Sequence, residues 1–292
     1  MQGDASKKRN LPGCGIKLQS DARDKSGTKK VMVKITRGIE QSGFIKFLGT
    51  SGARFVMIRQ LRSSGGIWVS CKGTNVLVDP GPGSIVRCAS SRPKLDPTKL
   101  DAIILTHRHL DHSGDINVMI EAMTEGGFKK RGTVFCPADA VLGDTVILKH
   151  VINFPEKIEI LRAGEKYKVG DFEFTTSTRH IHPVETYGIK FRLNKTSISL
   201  LADTKYFKEL KDFYKTDILI ISVVFFESRP TVEHLCLAEA EELISRIKPK
   251  KAILTHFGMT MLKAKPHLQA EKLSKKLNIE IQAAYDGMTL NF

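Results

Sequence analysis

An apolar run that stops in a cluster of histidines constrains this chain more than any other feature. In residues 100–115, "LDAIILTHRHLDHSGD", His107, His109, Asp111 and His112 fall within six positions. The branched aliphatic stretch before them reads as a buried strand ending at Thr106. The stretch after them, "GDINVMIEAMTE", has the length and period of a helix starting near Gly114. The motif therefore occupies the turn between a strand and a helix. Side chains two apart in extended chain share a side, so His107 and His109 point together. As the chain turns, Asp111 and His112 are redirected toward a second point close by. Imidazole nitrogen and carboxylate oxygen are the donors that Zn²⁺, Fe²⁺ and Mn²⁺ use. The pattern predicts a metal site at a strand end.

The rest of the chain punctuates like an α/β protein. Short β-branched and aromatic runs occur at "GFIKFLG", "GIWVSC" and "NVLVDPG", the last two joined through Lys72-Gly73-Thr74-Asn75. "KYKVGDFEFTTS" and "YGIKFRLNKTSISLLAD" read as hairpins around Gly170-Asp171 and Asn194-Lys195. "DILIISVVFF" reads as a continuous buried strand, and helix and strand then alternate through "LAEAEELISRI", "KAILTH", "PHLQAEKLSKKL" and "IEIQAAY". Hairpins followed by β-α alternation predict two mixed sheets packed together with helices outside. No linker or solenoid-period repeat interrupts residues 31–292, which read as a single domain. Residues 1–30 differ: they lack apolar periodicity and carry eight basic against three acidic residues, and read as a flexible basic arm.

Composition limits what such a domain does. The 292 residues include 46 basic and 31 acidic ones, a formal charge of +15, which suits a polyanionic partner or a lysine-rich solvated surface. No apolar run approaches the roughly 18 residues of a membrane span. Cys14, Cys71, Cys88, Cys136 and Cys236 are scattered, without a C-x-x-C pair, which fits a reducing, cytoplasmic setting better than a disulfide framework.

The histidine motif resembles that of the metallo-β-lactamase superfamily, and further stations of that family follow in order. The resemblance implies a four-layer αβ/βα sandwich of two mixed sheets with external helices. Asp79 in "NVLVDPGPG" matches the early aspartate that holds the histidine loop. "RHIHPVETYG" offers His180 and His182 for the third station. His182 is preferred, because the family's ligand commonly lies six residues before the glycine of a "YG" strand, here Gly188. Asp203 in "SISLLAD" matches the bridging carboxylate, and His256 in "KAILTHFG" the last histidine. Carried over, one metal takes His107, His109 and His182, the other takes Asp111, His112 and His256, and Asp203 bridges. The implied cofactors are two divalent ions, zinc first, with manganese or iron as alternatives, sharing a water of lowered pKa. No "G-x-S-x-G" suggests a side-chain nucleophile.

Other features point within the superfamily to its phosphodiesterase branch, which includes tRNA 3′-endonucleases and cyclic-phosphate phosphodiesterases. The opening "FLGTSGARFVMIRQLRSSGG", the "ADT" at Asp203 and His234 in "VEHLCLAEAEELI" resemble that branch. His234 matches the histidine of its "H-x-T" element, which assists proton transfer, although Cys236 stands where threonine is expected; a helix N-cap is the alternative role. With Asp111, His234 completes the expected catalytic pair. "THFGMTM" lacks the arginine and tyrosine of the tRNA endonucleases, and only a short basic insertion, "EGGFKKRG", stands where their long arm would be. The expected substrate is a phosphodiester or other small anion, smaller or less selective than pre-tRNA, with nucleic acid among the partners. The alternatives are a thioester, lactone or ester hydrolase and a non-catalytic nucleic-acid-binding module. Oligomeric state is open, a homodimer included.

Overall fold

The structure, a computed structural model, describes residues 43–292. The expected basic arm at residues 1–30, with Cys14, lies outside the described residues.

Strands dominate because branched aliphatic and aromatic residues recur in short runs between turn residues. In order they are β1 (Phe44–Phe47), β2 (Ile67–Cys71), β3 (Thr74–Val78), β4 (Ala102–Ile104), β5 (Thr133–Cys136), β6 (Lys157–Ile160) and β7 (Lys166–Val169). There follow β8 (Phe172–Thr176), β9 (Ile189–Leu193), β10 (Thr196–Leu201), β11 (Ile218–Ser222), β12 (Lys251–Thr255), β13 (Glu280–Ala283) and β14 (Thr289–Asn291). The helices are α1 (Ala53–Ile58), α2 (Ser84–Ser90), α3 (Leu110–Ser113), α4 (Ile116–Met123), α5 (Leu210–Phe213), α6 (Leu237–Ile247), α7 (Met259–Lys263) and α8 (Pro266–Leu277).

Two seven-stranded sheets result, ordered β14-β1-β2-β3-β4-β5-β6 and β13-β12-β11-β10-β9-β8-β7. Each is antiparallel at one side and parallel at the other. In the first, β3 to β6 run parallel; in the second, β10 to β13 do. The β2–β3 hairpin turns at Lys72 and Gly73, both with positive φ (47° and 89°), which matches the right-handed strand twist.

The sheets face each other across a core where Ile45, Val69, Val78, Ile104 and Phe135 meet Phe174, Ile189, Phe191, Ile220 and Ile253. Each such side chain contributes about 1.5–3 kcal/mol on leaving water. The parallel strands are apolar on their other faces too, because helices cover them. Leu77, Ile103 and Val134 pack against Met119, Ile120 and Met123 of α4; Leu219, Ile221 and Leu254 pack against Leu243, Ile244 and Ile247 of α6 and Leu273 of α8. The expected four-layer sandwich is the observed one. No helix among the described residues is long and apolar enough to cross a membrane.

Two local readings are corrected. The helix after the histidine motif is split: α3 is a single turn that contains Asp111 and His112, and α4 begins only at Ile116. The run "DILIISVVFF" forms strand only over β11: Val223 N–H still bonds Thr255 of β12, but Val224 and Phe225 turn theirs to the Leu235 carbonyl.

Candidate metal centre

Parallel strands of both sheets end at one edge, and the chain turns away from each end carrying a histidine or aspartate. Asp79 follows β3, His107 and His109 follow β4, Asp203 follows β10, and His256 directly follows β12. Ligands in open α/β sheets gather outside such carboxyl ends. Asp79 and His256 hold left-handed backbone, φ 54° and 60°, a strained conformation for non-glycine residues that aims their side chains into the edge. Gly81 lets the chain after β3 pass close to the motif; a Cβ there would strike the backbone oxygens of Ser64 and Asp111.

Asp203 is the hub. Its Oδ2 lies 3.2 Å from His256 Nε2, 3.4 Å from His234 Nδ1, 3.5 Å from His112 Nε2 and 3.9 Å from His107 Nε2. Asp111 Oδ2 lies 3.6 Å from His256 Nε2 and 3.8 Å from His112 Nε2. His182 Nε2 and His109 Nδ1 converge to 3.0 Å. The donor atoms of His107, His109 and His182 lie within 4.8 Å of one another, as do those of Asp111, His112 and His256. All seven residues expected to bind metal therefore meet at one edge, and His234 joins them beside Asp203 and His182.

The surroundings orient the rings. Asp79 Oδ1 accepts from Thr106 N–H, and Oδ2 accepts from Thr106 Oγ1 and from His112 Nδ1 at 2.9 Å. Thr106 Oγ1, having donated its proton to Asp79, accepts from His107 Nδ1. His182 Nδ1 donates to the Glu233 carbonyl. In His107 and His182 the outward nitrogen carries the proton and the inward one presents a lone pair, and His112 is turned the same way by Asp79. His180 is different: both its ring nitrogens are engaged away from the centre, with the Asp203 backbone oxygen and the Tyr214 hydroxyl.

Several inward atoms are buried without a hydrogen-bond partner: His107 Nε2, His112 Nε2, His256 Nε2, Asp203 Oδ1 and His234 Nδ1. Such atoms are costly unless something satisfies them, and converging lone pairs and carboxylates are what a divalent cation satisfies. The 3.0 Å between His109 and His182 approaches the roughly 3.3 Å separation of two nitrogens on one tetrahedral zinc. The residues fit the metals.

Electrostatics agree. Burial lowers the pKa of His107, His109, His182 and His234, keeping them neutral. For Asp203 burial works the other way, but His256 and His234 outweigh it and hold the carboxyl well below its usual range; for Asp111, His112 and His256 outweigh burial and lower its pKa. Burial opposes charge on His112 as well, yet Asp111 and Asp79 outweigh it and raise its pKa. Four neutral imidazoles beside ionised carboxylates are ready to accept a cation, and His112 would release a proton when it does.

The N-cap alternative for His234 is not what the chain adopts. Cys236 caps α6, and its N–H donates to Glu239 Oε2 at 2.8 Å in a capping box. Cysteine thus serves the helix, while His234, two residues earlier, faces Asp203. Thr106 and the Glu233 carbonyl were not foreseen. Thr106 adjoins the motif and could have been suspected; a main-chain oxygen leaves no mark in a sequence. The "EGGFKKRG" insertion forms a turn in which Lys129 pairs with Glu125 and Arg131 with Asp101. His150 and His267 are exposed and remote from the centre.

Residues 74–257 match the family described as a beta-lactamase superfamily domain. The chain belongs to that superfamily. Its fold is the metallo-β-lactamase fold. An uncharacterized protein of Methanocaldococcus jannaschii, MJ1374, is 32% identical over 254 residues, covering 84% of this chain and 93% of that protein. The structure of a diphosphatase from the PhnP family superposes with a TM-score of 0.63 at 22% identity, covering 86% of this chain and 97% of that one. Human tRNase Z, short form, gives 0.61 at 18% identity, covering 85% and 98%.

Proposed function

We propose that this chain is a metal-dependent phosphodiesterase with a dinuclear centre. The observation that carries the reading is Asp203, whose Oδ2 stands within 3.9 Å of four histidine nitrogens, between one set of three donors and another. His107, His109 and His182 would hold one ion, Asp111, His112 and His256 the other, with Asp203 shared. Two divalent ions, most suitably zinc, would supply Lewis-acid stabilisation and a water of lowered pKa.

The chain's own residues would do the rest. Asp79 and Thr106 orient His112 and His107. Asp111, kept ionised, would balance positive charge and orient the attacking water. His234 has a buried, unpartnered Nδ1 in the same cluster and would move a proton to the leaving oxygen. An oxygen donor at position 203, the basic surface, and the resemblance in fold to a diphosphatase and to tRNase Z support a phosphodiester over a lactam. The short turn in place of a long basic arm favours a substrate smaller or less selective than pre-tRNA.

One observation favours a second reading. Leu110 and Ile181, exposed beside Asp111 and His182, would also suit the apolar group of a thioester or lactone. Metal analysis with parallel assays on bis-p-nitrophenyl phosphate and a thioester separates the two. Turnover of the phosphodiester alone is expected; turnover of the thioester alone would overturn the proposal. Metal-free protein that still binds RNA, and hydrolyses neither, would point instead to a binding module.

A further inference from the structure

Away from the metal centre, at the flank of the first sheet, a cavity of about 210 Å³ opens between β1, the end of α2 and the start of β14. It is lined by Lys46, Arg87, Ser90, Ser91 and Arg92, with Leu48 and Gly287. None of these residues belongs to the metal cluster.

Lys46 is the unusual member. The alternation that points Ile45 and Phe47 into the core turns Lys46 to the helix-covered face, where it is only 5% exposed. Burial lowers its pKa. Its ammonium donates to the Arg92 carbonyl at 3.1 Å and to Thr289 Oγ1 at 3.0 Å, which leaves a third N–H. Arg87 Nε donates to the Leu48 carbonyl, and its two terminal nitrogens remain available. Arg92 Nη1 bonds the carbonyls of Ser90 and Ser91, leaving its other edge available. The Ser91 Oγ is buried without a partner.

Three cations thus surround one cavity, and no carboxylate lines it or pairs with any of the three among the described residues. A buried ammonium beside two guanidinium groups, with no counter-charge, is unfavourable in isolation. Arginine forks and a lysine point charge together match the oxygens of a phosphate.

We propose that this cavity is a second anion site that binds a phosphate group, carried either by a small phosphate compound or by a nucleic-acid strand. A neutral or cationic ligand would leave the three charges uncompensated, whereas a phosphate monoester or pyrophosphate brings two or more negative charges and a strand brings one at each successive phosphate. The site owes nothing to turnover at the metal centre, so its test is independent of the phosphodiesterase reading.

The chain carries its own reporter. Trp68, the one tryptophan in the sequence, pairs directly with Lys46 across the β1–β2 ladder. Pyrophosphate and, separately, a single-stranded oligothymidylate are titrated into the full-length protein while Trp68 emission is followed. A saturable change is expected with at least one probe. Lys46→Met, Arg87→Gln and the exposed Arg92→Gln should each weaken it by about tenfold or more, with metal content and bis-p-nitrophenyl phosphate hydrolysis unchanged. Saturation by pyrophosphate assigns small phosphate compounds; saturation by the oligonucleotide alone assigns a strand. No saturable change with either probe, or equal binding by wild type and all three variants, would overturn the proposal.

Discussion

His180 Nδ1 lies 3.0 Å from the backbone oxygen of Asp203, and its Nε2 lies 2.6 Å from the Tyr214 hydroxyl. The carbonyl can only accept, so Nδ1 carries the proton and Nε2 accepts from Tyr214. Tyr214 reaches this spot because residue 188 is glycine; a Cβ there would strike its hydroxyl oxygen. His180 therefore braces the strand end that presents Asp203, while His182, two residues on, turns its Nε2 to the centre.

That relationship separates two neighbouring histidines by experiment. His182→Ala should strip metal, whereas His180→Ala should weaken metal binding by about 10–100-fold, as loss of an orienting partner does. His180→Asn, whose amide N–H can still reach the Asp203 carbonyl, should recover part of the loss. Chelator competition measures all three. Metal lost from the His180 variant and kept by the His182 variant would reverse the assignment.

Removing the hub has a stronger consequence. Asp203→Ala should abolish turnover and metal retention together, because it leaves His112, His256 and His107 facing one another without their carboxylate. Elemental analysis beside the phosphodiester assay tests this. Full activity in the variant would exclude a shared dinuclear centre.

For His234 the expected signature is kinetic. His234→Ala should lower kcat by about 10²–10⁴-fold on poor leaving groups, and much less on p-nitrophenolate, with metal content unchanged. A uniform loss across leaving groups accompanied by loss of metal would make His234 a ligand instead.

The pH dependence follows from burial. His107 and His180 are held neutral, His180 with its pKa lowered to about 4. Below pH 6.5 the unfolded chain takes up protons that these buried rings refuse. Their contribution is therefore complete above that value and is lost as pH falls from 6.5 toward 4. His112, with a raised pKa, opposes this in part. Thermal melts of the metal-free protein should show a lower Tm at pH 5 than at pH 7, and metal affinity should fall over the same interval as protons compete for the ligands. A Tm that rises on acidification would contradict the assignment of neutral buried rings.

The sequence disclosed most of the centre because its chemistry lies in residue types at strand ends. The clustered His107, His109, Asp111 and His112 were legible from spacing, and Asp79, His182, Asp203 and His256 from their order along a familiar pattern. The hairpins were legible because alternation and turn residues are local. Less legible was whatever depends on contacts between distant segments. Nothing local says that Val224 turns from β12 to the Leu235 carbonyl, or that His180 is occupied by Tyr214. The cluster of Lys46, Arg87 and Arg92 was equally hidden, since a strand, a helix and a loop contribute one cation each.

The proposed ligands come from both sheets: His107, His109, Asp111 and His112 from the edge of one, His182, Asp203 and His256 from the edge of the other. An ion held by His107 and His182, or a carboxylate shared with His256, would join stretches of chain that lie up to about 150 residues apart. Like a disulfide closing a long loop, such a junction restricts the unfolded ensemble, a model-dependent gain of about 4–5 kcal/mol for loops of this size. Cys71, Cys88, Cys136 and Cys236 are all free thiols. Metal would then be this fold's covalent-bond substitute, and a chelator its reducing agent.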